Sequence, residues 1–135
     1  MILPDLICNQ QRLEATSEWK DLYSTNYPGD YNNDEDCDLL IESAIGVITL
    51  EIVAFNTERN IDYVDVYDGI NDQAQHSAKT LHGVLSPQSI QSTGSSLFLK
   101  FISDGSDTRS GFHMRFKYTG YYIVKLIIQK DIAII

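Results

Sequence analysis

The sequence predicts an all-β fold, a two-sheet antiparallel β-sandwich, and three observations carry that reading. Apolar and polar residues alternate with a period of two in four separate runs, the signature of strands with one buried face. Loops rich in Gly, Ser, Asn and Asp separate those runs, and no segment shows sustained helical periodicity with caps. Eight Tyr and five Phe against one Trp lean the same way. At 135 residues the chain holds one domain with enough material for one core.

The elements follow in order. Cys8 and Cys37, the two cysteines of the chain, stand 29 residues apart and bracket a turn-rich acidic stretch, N-Y-P-G-D-Y-N-N-D-E-D-C, from Asn26 to Cys37. An isolated pair around a Tyr-Pro turn reads as one disulfide stapling an N-terminal arm to a β domain, which points to an oxidising compartment. In the chain-entropy model such a loop closure is worth roughly 3–4 kcal/mol. The competing reading is two unrelated buried thiols, since free cysteine packs as a small hydrophobe. Val47–Phe55 follows, with Ile48, Leu50 and Ile52 on one face; Phe55 arrives one residue out of step, which marks a bulge or a strand end. In Asp62–Gly69 Val64 and Val66 face one way and Tyr63, Asp65 and Tyr67 the other, before an Asp68-Gly69 turn. Asn71–Gln75, Ser86-Pro87, Ser92–Ser96 and Ser103–Gly111 read as loops. Leu97, Leu99 and Phe101 alternate with Phe98, Lys100 and Ile102, and Phe112, Met114 and Phe116 with His113, Arg115 and Lys117. The expected division is an N-terminal arm over 1–7, a β domain over 8–118 and an apolar tail of high β-propensity over 119–135.

Composition narrows the function. A net charge of −9 repels nucleic acid and suits cations or basic protein surfaces. Met1–Cys8 lacks a basic region and is broken by Pro4 and Asp5, so no signal peptide is expected in it. No membrane span is expected either, since the apolar-biased stretch Tyr121–Ile135 is interrupted by Lys125, Lys130 and Asp131. If the disulfide forms, the chain is expected to be a fragment or a mature segment of a longer, multidomain secreted protein. No C-x-x-C supports zinc or thioredoxin chemistry, and no N-x-S/T sequon supports N-glycosylation.

Several pieces, in this order, resemble the CUB domain, an extracellular β-sandwich of complement proteases and developmental metalloproteases. They are Cys8; N-Y-P-x-x-Y-x-x-x-x-x-C ending at Cys37; I-x-L-x-I-x-x-F over Ile48–Phe55; D-Y-V-D-V-Y-D-G over Asp62–Gly69; L-F-L-K-F-I-S-D over Leu97–Asp104; and G-F-H-M-R-F over Gly111–Phe116. The resemblance spans Cys8–Tyr118 and implies a spermadhesin-like jelly roll. The chain departs from the family pattern in three places. Ile61 and Val84 stand near the positions of a second disulfide, Thr25-Asn26 replaces a Ser-Pro, and the loop between Glu58 and Asp62 is short.

The resemblance also implies a calcium site. The calcium-binding subset carries a Glu before the D-Y-V strand, an Asp opening it and an Asp in an S-D-x-S loop. Carried over, these are Glu58, Asp62 and Asp104, with Ser106 completing the shell. The residue chemistry agrees, because calcium takes hard oxygen ligands from carboxylates, carbonyls and water. In that subset the ordered carboxylates grip a Lys or Arg of a protein partner. Asp62→Ala is then expected to abolish metal-dependent stabilisation and leave the fold intact. The opposing reading is solvated loop acids, with the short spacing displacing Glu58 and Arg59 neutralising it. Asp65 and Asp68 read as a solvent-face and a turn residue, and Asp34, Glu35 and Asp36 as a solvated acidic loop.

Catalysis is not expected. His76, His82 and His113 lack flanking nucleophile or metalloprotease motifs and read as surface residues. Asp62 and Asp104 on sandwich-end loops offer no deep cleft for paired-carboxylate hydrolysis. A different class of function is a calcium-independent adhesion or spacer module that binds through an exposed aromatic surface around Tyr23, Tyr27 and Tyr31, which is also the place where a sugar face would stack.

Overall fold

All four alternating runs become strands, and their apolar faces meet in one core. The computed structural model describes residues 3–73 and 77–120. Its strands are β1 (Asp5–Leu6), β2 (Arg12–Glu14), β3 (Lys20–Tyr23), β4 (Asp36–Glu42), β5 (Val47–Asn56) and β6 (Tyr63–Tyr67). They continue with β7 (Ser77–Leu81), β8 (Val84–Leu85), β9 (Gln88–Gln91), β10 (Ser96–Ile102) and β11 (Gly111–Thr119). One sheet runs β1-β3-β11-β5-β8, with β9 also paired to β5; the other runs β2-β4-β10-β6-β7. The apolar run Tyr121–Ile135 and His76 lie outside the described residues.

The sheets are mixed, which corrects the purely antiparallel expectation. β1 lies parallel to β3 and β2 parallel to β4, one at each sheet's edge. Tight hairpins give antiparallel neighbours, but β2 reaches β4 from far along the chain, so either direction is open to it. Strands of two or three residues also carry no alternation from which to read a direction.

One face of each alternating run is fully buried: Ile48, Leu50, Ile52, Val64, Val66, Leu97, Leu99, Phe101, Phe112, Met114 and Phe116 are each 0% exposed. The misfit at Phe55 is a bulge. Met114 pairs with Ile52 and His113 with Ala54, so β5 carries one extra residue there. That residue rotates the strand and returns Phe55 to the core, where its ring stacks on Phe112 at 5.5 Å. Phe101 meets Phe112 and Tyr31 edge-on at 5.2 and 5.3 Å.

Cys8 and Cys37 form the disulfide, with Cα atoms 5.1 Å apart. Ile61 and Val84, near the positions of the family's second bridge, are 45% and 79% exposed.

Gly111 opens β11 at φ 80° against β3's exit. A Cβ there would stand 1.9 Å from Ser24 Oγ, the buried hydroxyl that accepts the Phe112 N–H at 2.8 Å. Gly111→Ala combines left-handed strain with the loss of that bond and is expected to lower unfolding free energy by roughly 2–3 kcal/mol. A urea midpoint unchanged from wild type would mean that Ser24 moves aside freely.

Candidate metal centre

Three loops at one end of the sandwich converge on Asp62. The first follows β5. Thr57 is pinned there by its N–H to the Gly83 carbonyl at 3.0 Å and its hydroxyl to the Asp62 carbonyl at 2.9 Å. The chain then turns within three residues: the Asp62 N–H donates to the Glu58 carbonyl at 3.0 Å, and Asn60 takes φ 65° to close the turn. Asn tolerates that left-handed conformation better than most residues. The short spacing therefore brings Glu58 back over Asp62 instead of displacing it.

Asp62 is fully buried at the entry to β6, and both its oxygens are held. Oδ2 accepts the Tyr31 hydroxyl at 2.6 Å and Oδ1 accepts the Asp104 N–H at 2.9 Å. The same Tyr31 hydroxyl accepts the Glu58 N–H at 3.0 Å. Tyr31 thus ties two of the three acidic positions to the Phe101 side of the core. Burial and the bond to Asp62 push its hydroxyl well above the usual phenol range. It is only 2% exposed, so it cannot belong to an exposed aromatic surface as expected from sequence. Tyr23 and Tyr27 remain half-buried, with rings 5.5 Å apart. His113 stacks on Tyr23 at 4.5 Å and meets Asp21 at 2.7 Å.

The second loop is the acidic run before β4, and it is latched rather than merely solvated. The Asp34 N–H donates to the Asp104 carbonyl at 2.8 Å, the Ser103 N–H to the Glu35 carbonyl at 2.9 Å, and the Glu35 N–H to Ser103 Oγ at 2.8 Å. Burial raises the Glu35 carboxyl above its ordinary range, and its Oε2 is buried without a hydrogen-bond partner.

The third loop, after β10, supplies Asp104, Ser106 and Asp107. Glu58, Asp62 and Asp104 each offer a carboxylate oxygen within 4.8 Å of the other two. Ser106 is exposed, and its N–H donates to Asp104 Oδ1 at 3.3 Å. Asp107, at φ 57°, adds charge from the same loop. Burial first, and then the charges of Asp104, Asp62 and Asp107, raise the Glu58 carboxyl above its ordinary range. Glu58 Oε1 is buried with no hydrogen-bond partner. Such an oxygen beside other carboxylates fits a hard cation, which would supply both a partner and the missing positive charge. Glu58, Asp62 and Asp104 are the positions the family resemblance implies, and the structure adds Tyr31 and Asp107 beside them. The Tyr-Pro-x-x-Tyr spacing holds the only linear hint of Tyr31's place, and its contact with Asp62 spans 31 residues.

A sandwich with a carboxylate cluster borne on its end loops is the class of module that fold and site define. Residues 8–116 match the family model of the CUB domain, and the chain belongs to that family. It is 39% identical over 107 residues to cubilin of Sus scrofa, an alignment covering 76% of this chain and 3% of cubilin. It is 33% identical over 121 residues to tolloid-like protein 1 of Homo sapiens, covering 82% of this chain and 12% of that protein. The chain therefore spans a small part of the length of these relatives. Among solved structures, the CUB1-EGF-CUB2 domains of rat MASP-1 share the fold at a TM-score of 0.69 and 21% identity, over 81% of this chain and 43% of that one. The MASP-1 CUB2 domain bound to Ca2+ shares it at 0.62 and 23% identity, over 77% and 96% of the two chains. No helix among the described residues is long and apolar enough to cross a membrane.

Proposed function

We propose that this chain is an extracellular protein-binding module, not a catalyst, that uses calcium to present carboxylates to a Lys or Arg of its partner. The observation that carries this reading is Glu58 Oε1, buried and unpartnered within reach of two further carboxylates. Glu58, Asp62 and Asp104 would hold the ion, with the Ser106 segment beside them and Tyr31 orienting Asp62. The ion supplies charge compensation and loop order; the chain's own residues make the contact. Asp104 is exposed and so reaches the surface where a cationic side chain would dock. The likeness to a Ca2+-bound CUB2 domain lends support to this choice of ion. The disulfide and the family's occurrence in longer proteins support placement in a secreted, multidomain parent.

The test is binding of a lysine-containing peptide library to the immobilised domain in calcium, with chelator and with lysine-acetylated peptides as controls. Binding should vanish in both controls and weaken with salt, because an ionic grip is screened. Retention after acetylation would overturn the ionic mechanism. It would favour the second reading, calcium-independent contact through the groove of about 560 Å³ where Tyr23 and Tyr27 lie beside Leu6 and Pro28.

A further inference from the structure

A cleft of about 530 Å³ lies between the Glu58–Asp62 turn, the β7–β8 connection and the loop after β10. That volume falls within the rough 300–1,000 Å³ range of ligand sites. Its charge is opposite to that of the molecule. The chain carries ten Lys and Arg against nineteen Asp and Glu. Yet Arg59, Lys79 and Arg109 all line this cleft together with His82, and among the described residues no Asp or Glu lines it. None of the four makes an ion pair with a carboxylate among the described residues, whereas Arg12, Lys100, His113 and Arg115 all do. Assembling like charges opposes folding, so unpaired cations gathered in one concavity point to an anion that completes them.

The local geometry supports a built site. Gly83, at φ 78°, lies in the wall beneath the Arg59 stem, whose Cγ, Cβ and Cδ would stand at ordinary contact distance, 3.5–3.9 Å, from a Cβ there. His82 Nδ1 accepts the Asn60 N–H at 3.2 Å, so in the neutral ring the hydrogen sits on Nε2 as a donor. Lys79 Nζ donates to the Gln88 side-chain oxygen and keeps further hydrogens to give. Two guanidinium groups, which match the planar spacing of oxyanion oxygens, complete the donor set.

We infer that this cleft binds a tetrahedral oxyanion, presented as a sulfate or phosphate group, through Arg59, Arg109, Lys79 and His82. The net charge of −9 favours a discrete anionic group over a long polyanion, which the rest of the surface would repel. The assignment is independent of the calcium reading. The two sites share loops, with Glu58 turned to the carboxylates and Arg59 to the cleft, but neither requires the other's ligand.

The test is amide NMR of the oxidised wild-type domain titrated with inorganic sulfate and then phosphate, at ionic strength held constant with chloride. Saturable shifts centred on Arg59, His82 and Gly83 are expected. The double variant Arg59→Gln/Arg109→Gln, whose positions are both exposed, should keep its thermal midpoint and lose affinity about tenfold or more, as for loss of charge-assisted hydrogen bonds. Tyrosine O-sulfate, phosphoserine and a sulfated monosaccharide then distinguish the carriers; a preference for any of them over the free anion supports the site and names its source. Shifts that chloride reproduces, or that persist in the folded double variant, overturn it.

Discussion

Calcium titrated into the chelated, oxidised domain is expected to raise its thermal midpoint saturably, and Asp104→Asn is expected to remove most of that rise. A ligand that binds only the folded state adds about 2.7 kcal/mol at a hundredfold excess over Kd. Asp104 is the cleanest position for the test because it is exposed and its structural bonds run through its backbone as well as its side chain. Asp62→Ala is a poorer test. Asp62 is buried and accepts both the Tyr31 hydroxyl and the Asp104 N–H, so truncation should also destabilise the metal-free fold by roughly 1–3 kcal/mol. That corrects the sequence-based expectation of an undisturbed fold. The pH dependence follows from Glu58, whose carboxyl is raised above 4.5 by burial and by its acidic neighbours. Between that value and the raised one, the folded state holds more protons than the unfolded state. Metal-free stability therefore increases as pH falls through this window and is lost as pH rises through it. Calcium competes with the same proton, so the calcium increment should shrink on acidification. A folded Asp104→Asn domain that responds to calcium as wild type does would sink the site.

Replacing both cysteines by serine is expected to cost roughly 3–4 kcal/mol, from the closure entropy of a 29-residue separation. The loss should be local as well as global. Cys8 sits between β1 and β2, two edge strands of two and three residues that have little pairing of their own. Leu40 N–H bonds the Gln11 carbonyl at 2.9 Å and Ala15 N–H bonds the Glu42 carbonyl at 2.8 Å, so β2 hangs on β4 close to the bridge. Hydrogen exchange at Leu40 and Ala15 should accelerate in the double serine variant more than at Leu99 in the central strand. Equal protection with a loss under about 1 kcal/mol would mean that the buried Ile7 and Ala15, 0% and 3% exposed, anchor the N-terminal segment without the bridge.

The long strands were legible because each repeats its alternation several times. β5, β10 and β11 carry seven to ten residues, and their buried faces fall where the pattern places them. β4 has no readable alternation, since Leu39, Leu40 and Ile41 run together and only tertiary packing makes Leu40 the outward one. β3 and β9 each bury one residue, Leu22 and Ile90, too few to show a period. The order of family motifs named the three carboxylate positions, but not whether the short Glu58–Asp62 turn would join or separate them.

By itself the sequence determined the fold class, the alternating faces of the main strands and the presence of two cysteines, because each is a pattern of period or residue type; the three carboxylate positions came from the resemblance to the family. Only the tertiary structure decided that Tyr31 is a buried brace for Asp62, that Glu58 closes on Asp104, and that Arg59 turns away into a cationic cleft with Lys79 and Arg109. These relations join residues tens of positions apart, and the geometry that sets them is the packing of one loop on another, which no linear spacing encodes.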